Sequence, residues 1–228
     1  MLKEFNRGKF EIGKSMKQPT QLEIQNTPTI IGATLEQARR LGGKVVNNAL
    51  DLMKFDLSKN IIVDVKVHML MKGMSPAIPG WHTDGVPRGV EQNPLSKGKP
   101  FMDYQEGKKP HKFHLFVTGN NCLTEFIKDR NLALEVPDEP DTDLYKAVSK
   151  QVNKLKREGK IETFDIPSCT VVTWDWWELH TGKPTSGFEW RVLIRVTETE
   201  DEHYNFIKED KELYRLHNNV YIPVEFGW

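Results

Sequence analysis

The sequence predicts a mainly β fold with flanking helices, an antiparallel barrel or sandwich of jelly-roll type. Three observations carry this expectation. Segments of period two, rich in β-branched and aromatic residues, gather between residues 61 and 199. Strand pairs are joined by turn residues more often than by helices, which favours antiparallel over parallel pairing. Helical periodicity is confined to the start, middle and end of the chain. At 228 residues, the chain suits one domain that can bury a core without staples.

Residues 1–33 read as irregular, with a possible strand in TPTII near their end. Thr34 then caps a helix, with Gln37 placed for a capping box. Leu35, Ala38, Leu41, Val45, Ala49 and Leu52 form its stripe, weakened in the middle by Gly42-Gly43. IIVDVKVHMLMKG (61–73) alternates as a strand, and turns follow at Ser75-Pro76 and Pro79-Gly80. Residues 86–112 form a long polar stretch of the kind that serves as a lid or binding loop. Its lysines are interleaved with Glu91, Asp103 and Glu106, as on a solvated surface.

KFHLFVTG and CLTEFI read as two strands around a Gly-Asn-Asn turn. A second helix is predicted from Asp143 to Glu158, closed by Gly159. IETFDIP, CTVVTWDWW and FEWRVLIRVTET are further strands, and a third helix is expected over 201–218. The expected plan is a β core over 61–199, a helical extension over 1–60 and a tail over 200–228.

Composition excludes several functions. Acidic and basic residues balance at 32 each, so strong non-specific nucleic-acid binding is not expected. No apolar run approaches the roughly 20 residues of a membrane span. The N-terminal MLKEFNRGKFEIGKSMK has no apolar stretch of the secretory kind. Cys122 and Cys169 form no C-x-x-C and read as reduced core thiols of a cytoplasmic protein. No G-x-S-x-G, Walker loop or G-x-G-x-x-G is present.

The chemistry-bearing signal is His82-Thr83-Asp84, between Trp81 and Gly85. In extended backbone, His82 and Asp84 share a face and Thr83 points opposite. An imidazole and a carboxylate so placed can close on one ion, with the third ligand supplied from elsewhere. His180 is the best candidate, after VVTWDWWEL and before Thr181-Gly182. Two histidines and one carboxylate leave positions open for co-substrate and O2. Eleven residues beyond His180 stands Arg191, flanked by apolar strand residues. A buried guanidinium calls for an anion, and a dicarboxylate would supply one. Arg195 shares the Arg191 face, either assisting or pairing with Glu198 or Glu200 at the surface.

WHTDG (81–85), LTEF (123–126), ELHTG (178–182) and WRVLIRVTE (190–198), in this order, resemble the iron(II)/2-oxoglutarate dioxygenase superfamily. The likeness is strongest to its compact prolyl-hydroxylase-like and phytanoyl-CoA-hydroxylase-like branches, and it covers about 61–199. The resemblance implies a double-stranded β-helix (a cupin-like barrel) with iron(II) on His82, Asp84 and His180. It implies 2-oxoglutarate on Arg191, with Lys66, His68 or His114 as a further polar contact. O2 would then be consumed, succinate and CO2 released, and a C–H bond hydroxylated. Leu193 stands where some members carry a serine or threonine.

Trp81, Arg88 and Trp176 are candidates for the substrate side, with core packing the alternative for the tryptophans. The substrate is open between a small molecule, a peptide side chain and a nucleobase, and the sequence does not set the oligomeric state. The competing expectations are a metal-dependent cupin enzyme that does not use 2-oxoglutarate, and a non-enzymatic binding or structural barrel.

Overall fold

The computed structural model describes residues 1–77, 79–85, 105–138 and 143–200. Arg88, most of the long polar loop and the third helix expected over 201–218 lie outside them.

The two most regular alternating segments become the two longest strands. β4 (Asn60–Leu70) and β11 (Glu189–Thr199) pair antiparallel along their whole length. They sit inside a six-stranded antiparallel sheet with β2 (Phe10–Ser15), β3 (Ile30–Thr34), β5 (Lys112–Val117) and β9 (Thr170–Asp175). Its order is β2-β9-β5-β11-β4-β3. A smaller sheet holds β6 (Thr124–Ile127), β8 (Thr163–Asp165) and β10 (His180–Gly182), in the order β10-β6-β8. β1 (Leu2–Phe5) and β7 (Leu132–Glu135) form a separate antiparallel pair.

Both faces of the large sheet are covered, so alternation sorts side chains into two cores. Val63, Val65, Val192, Ile194 and Val196 face one core with α2 (Leu35–Leu41) and α3 (Gly43–Leu52). Phe113, Leu115, Val117, Val172 and Trp174 face the other. That second core also takes Phe126 and Ile127 of the small sheet and Leu144, Val148 and Val152 of α4 (Leu144–Arg157). Two antiparallel sheets sharing one apolar layer are compatible with a β-sandwich.

Thr34 and Gln37 make the expected capping box, with the Gln37 N–H donating to Thr34 Oγ1 at 3.1 Å and the Thr34 N–H to Gln37 Oε1 at 2.9 Å. The helix anticipated through Leu52 breaks at Gly42-Gly43 into α2 and α3, and Gly43 takes φ +73°. The first 33 residues are more ordered than expected. They contribute β1, β2, the short helix α1 (Gln21–Gln25) and most of β3. β2 and β3 form the two edges of the large sheet, so that sheet reaches outside 61–199.

The strands around Gly-Asn-Asn do not pair with each other. β5 belongs to the large sheet and β6 to the small one. Glu189 stabilises this crossing, since its Oε2 accepts from the Asn120 and Asn121 N–H groups, each at 3.0 Å. Gly119 is required there: its φ is +87°, and a Cβ would lie 2.4 Å from Glu189 Oε2. Both cysteines are free and buried. Among the described residues, no helix is long and apolar enough to cross a membrane.

Candidate metal centre

Two backbone pairings assemble the site. β10 pairs with β6, placing His180 opposite Phe126. On its other side His180 forms an isolated antiparallel bridge with His82. Residues so opposed project their side chains to the same face, and the two imidazole centroids are 4.6 Å apart. Asp84, two residues after His82, joins them. One ligand atom from each of His82, Asp84 and His180 lies within 4.8 Å of the others. His180 Nε2 and Asp84 Oδ2 are 3.6 Å apart.

The hydrogen bonds fix how each imidazole meets an ion. His82 Nδ1 lies 2.9 Å from the Gly80 carbonyl, and His180 Nδ1 lies 3.1 Å from the Glu178 carbonyl. A carbonyl only accepts, so Nδ1 carries the proton on both rings and the Nε2 lone pairs are free for a metal. Burial, reinforced by His82, pushes His180 down to about 4, although Asp84 pulls the other way. Burial works against ionising Asp84, but Arg195 and the two imidazoles hold it at about 2. At neutral pH the site therefore offers a neutral His180 and an ionised Asp84, the protonation states a divalent cation needs.

The alternation that brings His82 and Asp84 together turns Trp81 and Thr83 the other way, onto α4. The Trp81 N–H donates to Ser149 Oγ at 2.9 Å, and Trp81 Nε1 donates to Asn153 Oδ1 at 3.0 Å. The Tyr145 hydroxyl donates to the Thr83 carbonyl at 3.1 Å. Tyr145, Ser149 and Asn153 are spaced four apart, one stripe of a helix, and this stripe clamps the ligand-bearing segment. Trp81 is thus packed into the core against α4, the alternative that the sequence left open for the tryptophans. Trp176 is closer to the chemistry. Its ring is tilted against His111 with centroids 4.6 Å apart, and its Cβ borders Gly85. Gly85 has φ +80°, and a Cβ there would meet His111 Nδ1 and Phe113 at 3.2 Å.

The inner face of β4 and β11 carries the remaining polar candidates. Cross-strand neighbours are Arg191 with His68, Leu193 with Lys66, and Arg195 with Asp64. Arg191 is 1% exposed, and its Nε and Nη1 have no hydrogen-bond partner among the described residues. Burial pushes its guanidinium below the ordinary value, with Cys122 and Glu189 pulling upward. His68 is 3% exposed with an unpartnered Nδ1, and burial, Arg191 and Lys66 push it down to about 3.

Arg195 does not pair with Glu198 or Glu200. Its Nη1 lies 3.0 Å from Asp84 Oδ1 and its Nη2 lies 2.8 Å from Asp64 Oδ2. His114 is on the opposite face of the sheet. It bonds to Thr173 Oγ1 at 3.0 Å and to Glu198, and it packs edge-on to Phe55. It therefore cannot reach a ligand held at the metal cluster. Glu198 projects to the His114 face, away from Arg195, and is taken by His114 and by the Asp56 N–H.

Asp64 was not anticipated. Its signal is parity, since it shares the alternation of Lys66 and His68 within a buried strand. The α4 stripe was likewise visible as polar residues at helical spacing between Leu144, Val148 and Val152. A scan against protein-family models and a search of curated proteins return no match to the chain.

Proposed function

We propose that this protein is an iron(II)- and 2-oxoglutarate-dependent oxygenase, with a jelly-roll core, that hydroxylates its substrate. One observation carries the reading. Two imidazoles presenting Nε2 and one ionised carboxylate converge at one point, and the strand bordering them buries a guanidinium with unpartnered N–H groups. Leaving a cation so placed is expensive without an anion. A dicarboxylate that binds the metal at one end and Arg191 at the other would supply that anion.

The residues fit the implied groups. His82, Asp84 and His180 would hold iron(II) and leave positions free for co-substrate and O2. Arg191 would take the distal carboxylate of 2-oxoglutarate by a charge-assisted bond, with His68 and Lys66 beside it on β4. Bound iron supplies the activation of O2, coupled to decarboxylation of 2-oxoglutarate to succinate. The protein supplies orientation and dryness: Phe126 and Trp174 pack around His180 with centroids 5.1 and 5.5 Å away. The ligand set alone would accept manganese, cobalt or zinc.

The direct experiment adds iron(II) and 2-oxoglutarate without oxygen and reads the visible charge-transfer absorbance. The wild type should develop a band that Arg191→Ala weakens. Absence of the band, together with absence of stabilisation by 2-oxoglutarate, would reject the reading.

A further inference from the structure

Two arginines share the inner face of β11, and they are not equivalent. Arg191 has unpartnered N–H groups, whereas Arg195 bridges two carboxylates. Arg195 stands directly across the sheet from Asp64. Asp64 Oδ2 accepts from Arg195 Nη2 at 2.8 Å, and Asp64 Oδ1 accepts from the Gly32 N–H at 2.9 Å. The other arm of the guanidinium, Nη1, donates to Asp84 Oδ1 at 3.0 Å. A hydrogen-bonded path therefore runs from the backbone of β3 at Gly32, through β4 and β11, to one oxygen of a ligand carboxylate.

We propose that Arg195, held by Asp64, is a positioning residue that ties back Asp84 Oδ1 and presents only Oδ2 to the metal. The inference rests on the metal part of the oxygenase reading. Two donors about 2.1 Å from one ion and at roughly right angles lie about 3 Å apart. Asp84 Oδ2 and His180 Nε2, at 3.6 Å, are close to that arrangement. Restraining Oδ1 prevents the carboxylate from chelating with both oxygens, which keeps one more coordination position open for exogenous ligands. A planar guanidinium suits this task because its two arms are fixed relative to each other, and a lysine ammonium lacks that geometry.

Charge and geometry make opposite predictions, which makes the proposal testable. A cation beside a ligand carboxylate repels a divalent ion and weakens the donor. If Arg195 acted only through charge, Arg195→Met would bind metal more tightly. If it acts by positioning, Arg195→Met should bind cobalt(II) about 10–100-fold more weakly, the usual range for losing such a partner.

The experiment titrates the full chain with cobalt(II) alone, by calorimetry and visible absorbance, with metal-free melting as the folding control. Arg195→Lys should fail to restore the wild-type affinity. Asp64→Asn keeps both Arg195 and Asp84, and it should alter the shape of the cobalt band as Asp84 reorients. Equal or tighter binding by a folded Arg195→Met protein overturns the proposal while leaving the metal site intact. If that variant does not fold, an unchanged band in Asp64→Asn overturns it. If the wild type binds no cobalt(II), the metal reading fails and this inference fails with it.

Discussion

His82 and His180 face each other across a single backbone bridge in which each N–H donates to the other's carbonyl at 3.0 Å. Two prospective ligands, far apart in the chain, are thereby set side by side before any ion arrives. The bridge is short, and metal ligation would add a second tie between the same two segments.

Metal should therefore stabilise the fold in a ligand-dependent way. At a free concentration of cobalt(II) or zinc(II) 100 times the dissociation constant, the gain is about 2.7 kcal/mol. His180→Ala and Asp84→Asn should each abolish the rise in melting temperature. A full rise in either variant would place the metal elsewhere.

Arg191 should show stability and function moving in opposite directions. Arg191→Met removes a buried cation whose Nε and Nη1 lack hydrogen-bond partners among the described residues, and the metal-free protein should be unchanged or more stable by roughly 1–4 kcal/mol. The same variant should lose stabilisation by 2-oxoglutarate in the presence of metal. Urea unfolding with and without the two ligands measures both effects, and a strongly destabilised metal-free variant would contradict the account.

Acid should weaken the fold through two buried histidines. His180 is held at about 4 and His68 at about 3, both below the ordinary 6.5. The unfolded chain thus binds more protons than the folded one below pH 6.5. The contribution of these two histidines is full above that value and falls as pH drops toward the folded values, by up to ~1.4 kcal/mol per unit per histidine. His68→Gln should remove one histidine's share of the slope. Urea midpoints for the metal-free protein at pH 7, 6 and 5 provide the check, and a flat series would refute it.

Arg130 and Glu178 form the other consequential ion pair. Arg130 Nη1 and Nη2 reach Glu178 Oε2 and Oε1 at 2.6 and 2.7 Å, and Glu178 is 1% exposed. Burial already pushes the Glu178 carboxyl up. Arg130→Met should cost roughly 2–4 kcal/mol, somewhat below the fully buried case because Arg130 is half-exposed. Adding Glu178→Leu should recover most of the loss. The Glu178 carbonyl orients His180, so the single variant should also weaken cobalt(II) binding.

Legibility in the sequence followed the strength of local periodicity. β4 and β11 alternate cleanly, and the same alternation correctly set His82 and Asp84 against Thr83. Applied one residue earlier, it would also have turned Trp81 away from the ligands. The capping box at Thr34 was legible because its partners lie three residues apart. β2 was not, since FEIGKS is largely exposed and becomes a strand only through pairing with β9. His114 was misplaced because both faces of the large sheet are buried, and alternation alone does not say which face meets the metal. The partnership of Arg195 with Asp64 depends on cross-strand register over a long separation, which no local pattern encodes.

The stripe of Tyr145, Ser149 and Asn153 has a consequence for how the molecule opens. Because α4 holds the backbone of Trp81 and Thr83, the ligand segment cannot detach while that helix stays docked, and the two should open as one cooperative unit. Occupying the ligands would then slow amide exchange along α4, a helix that contributes no ligand, so protection of α4 would report occupancy from a distance.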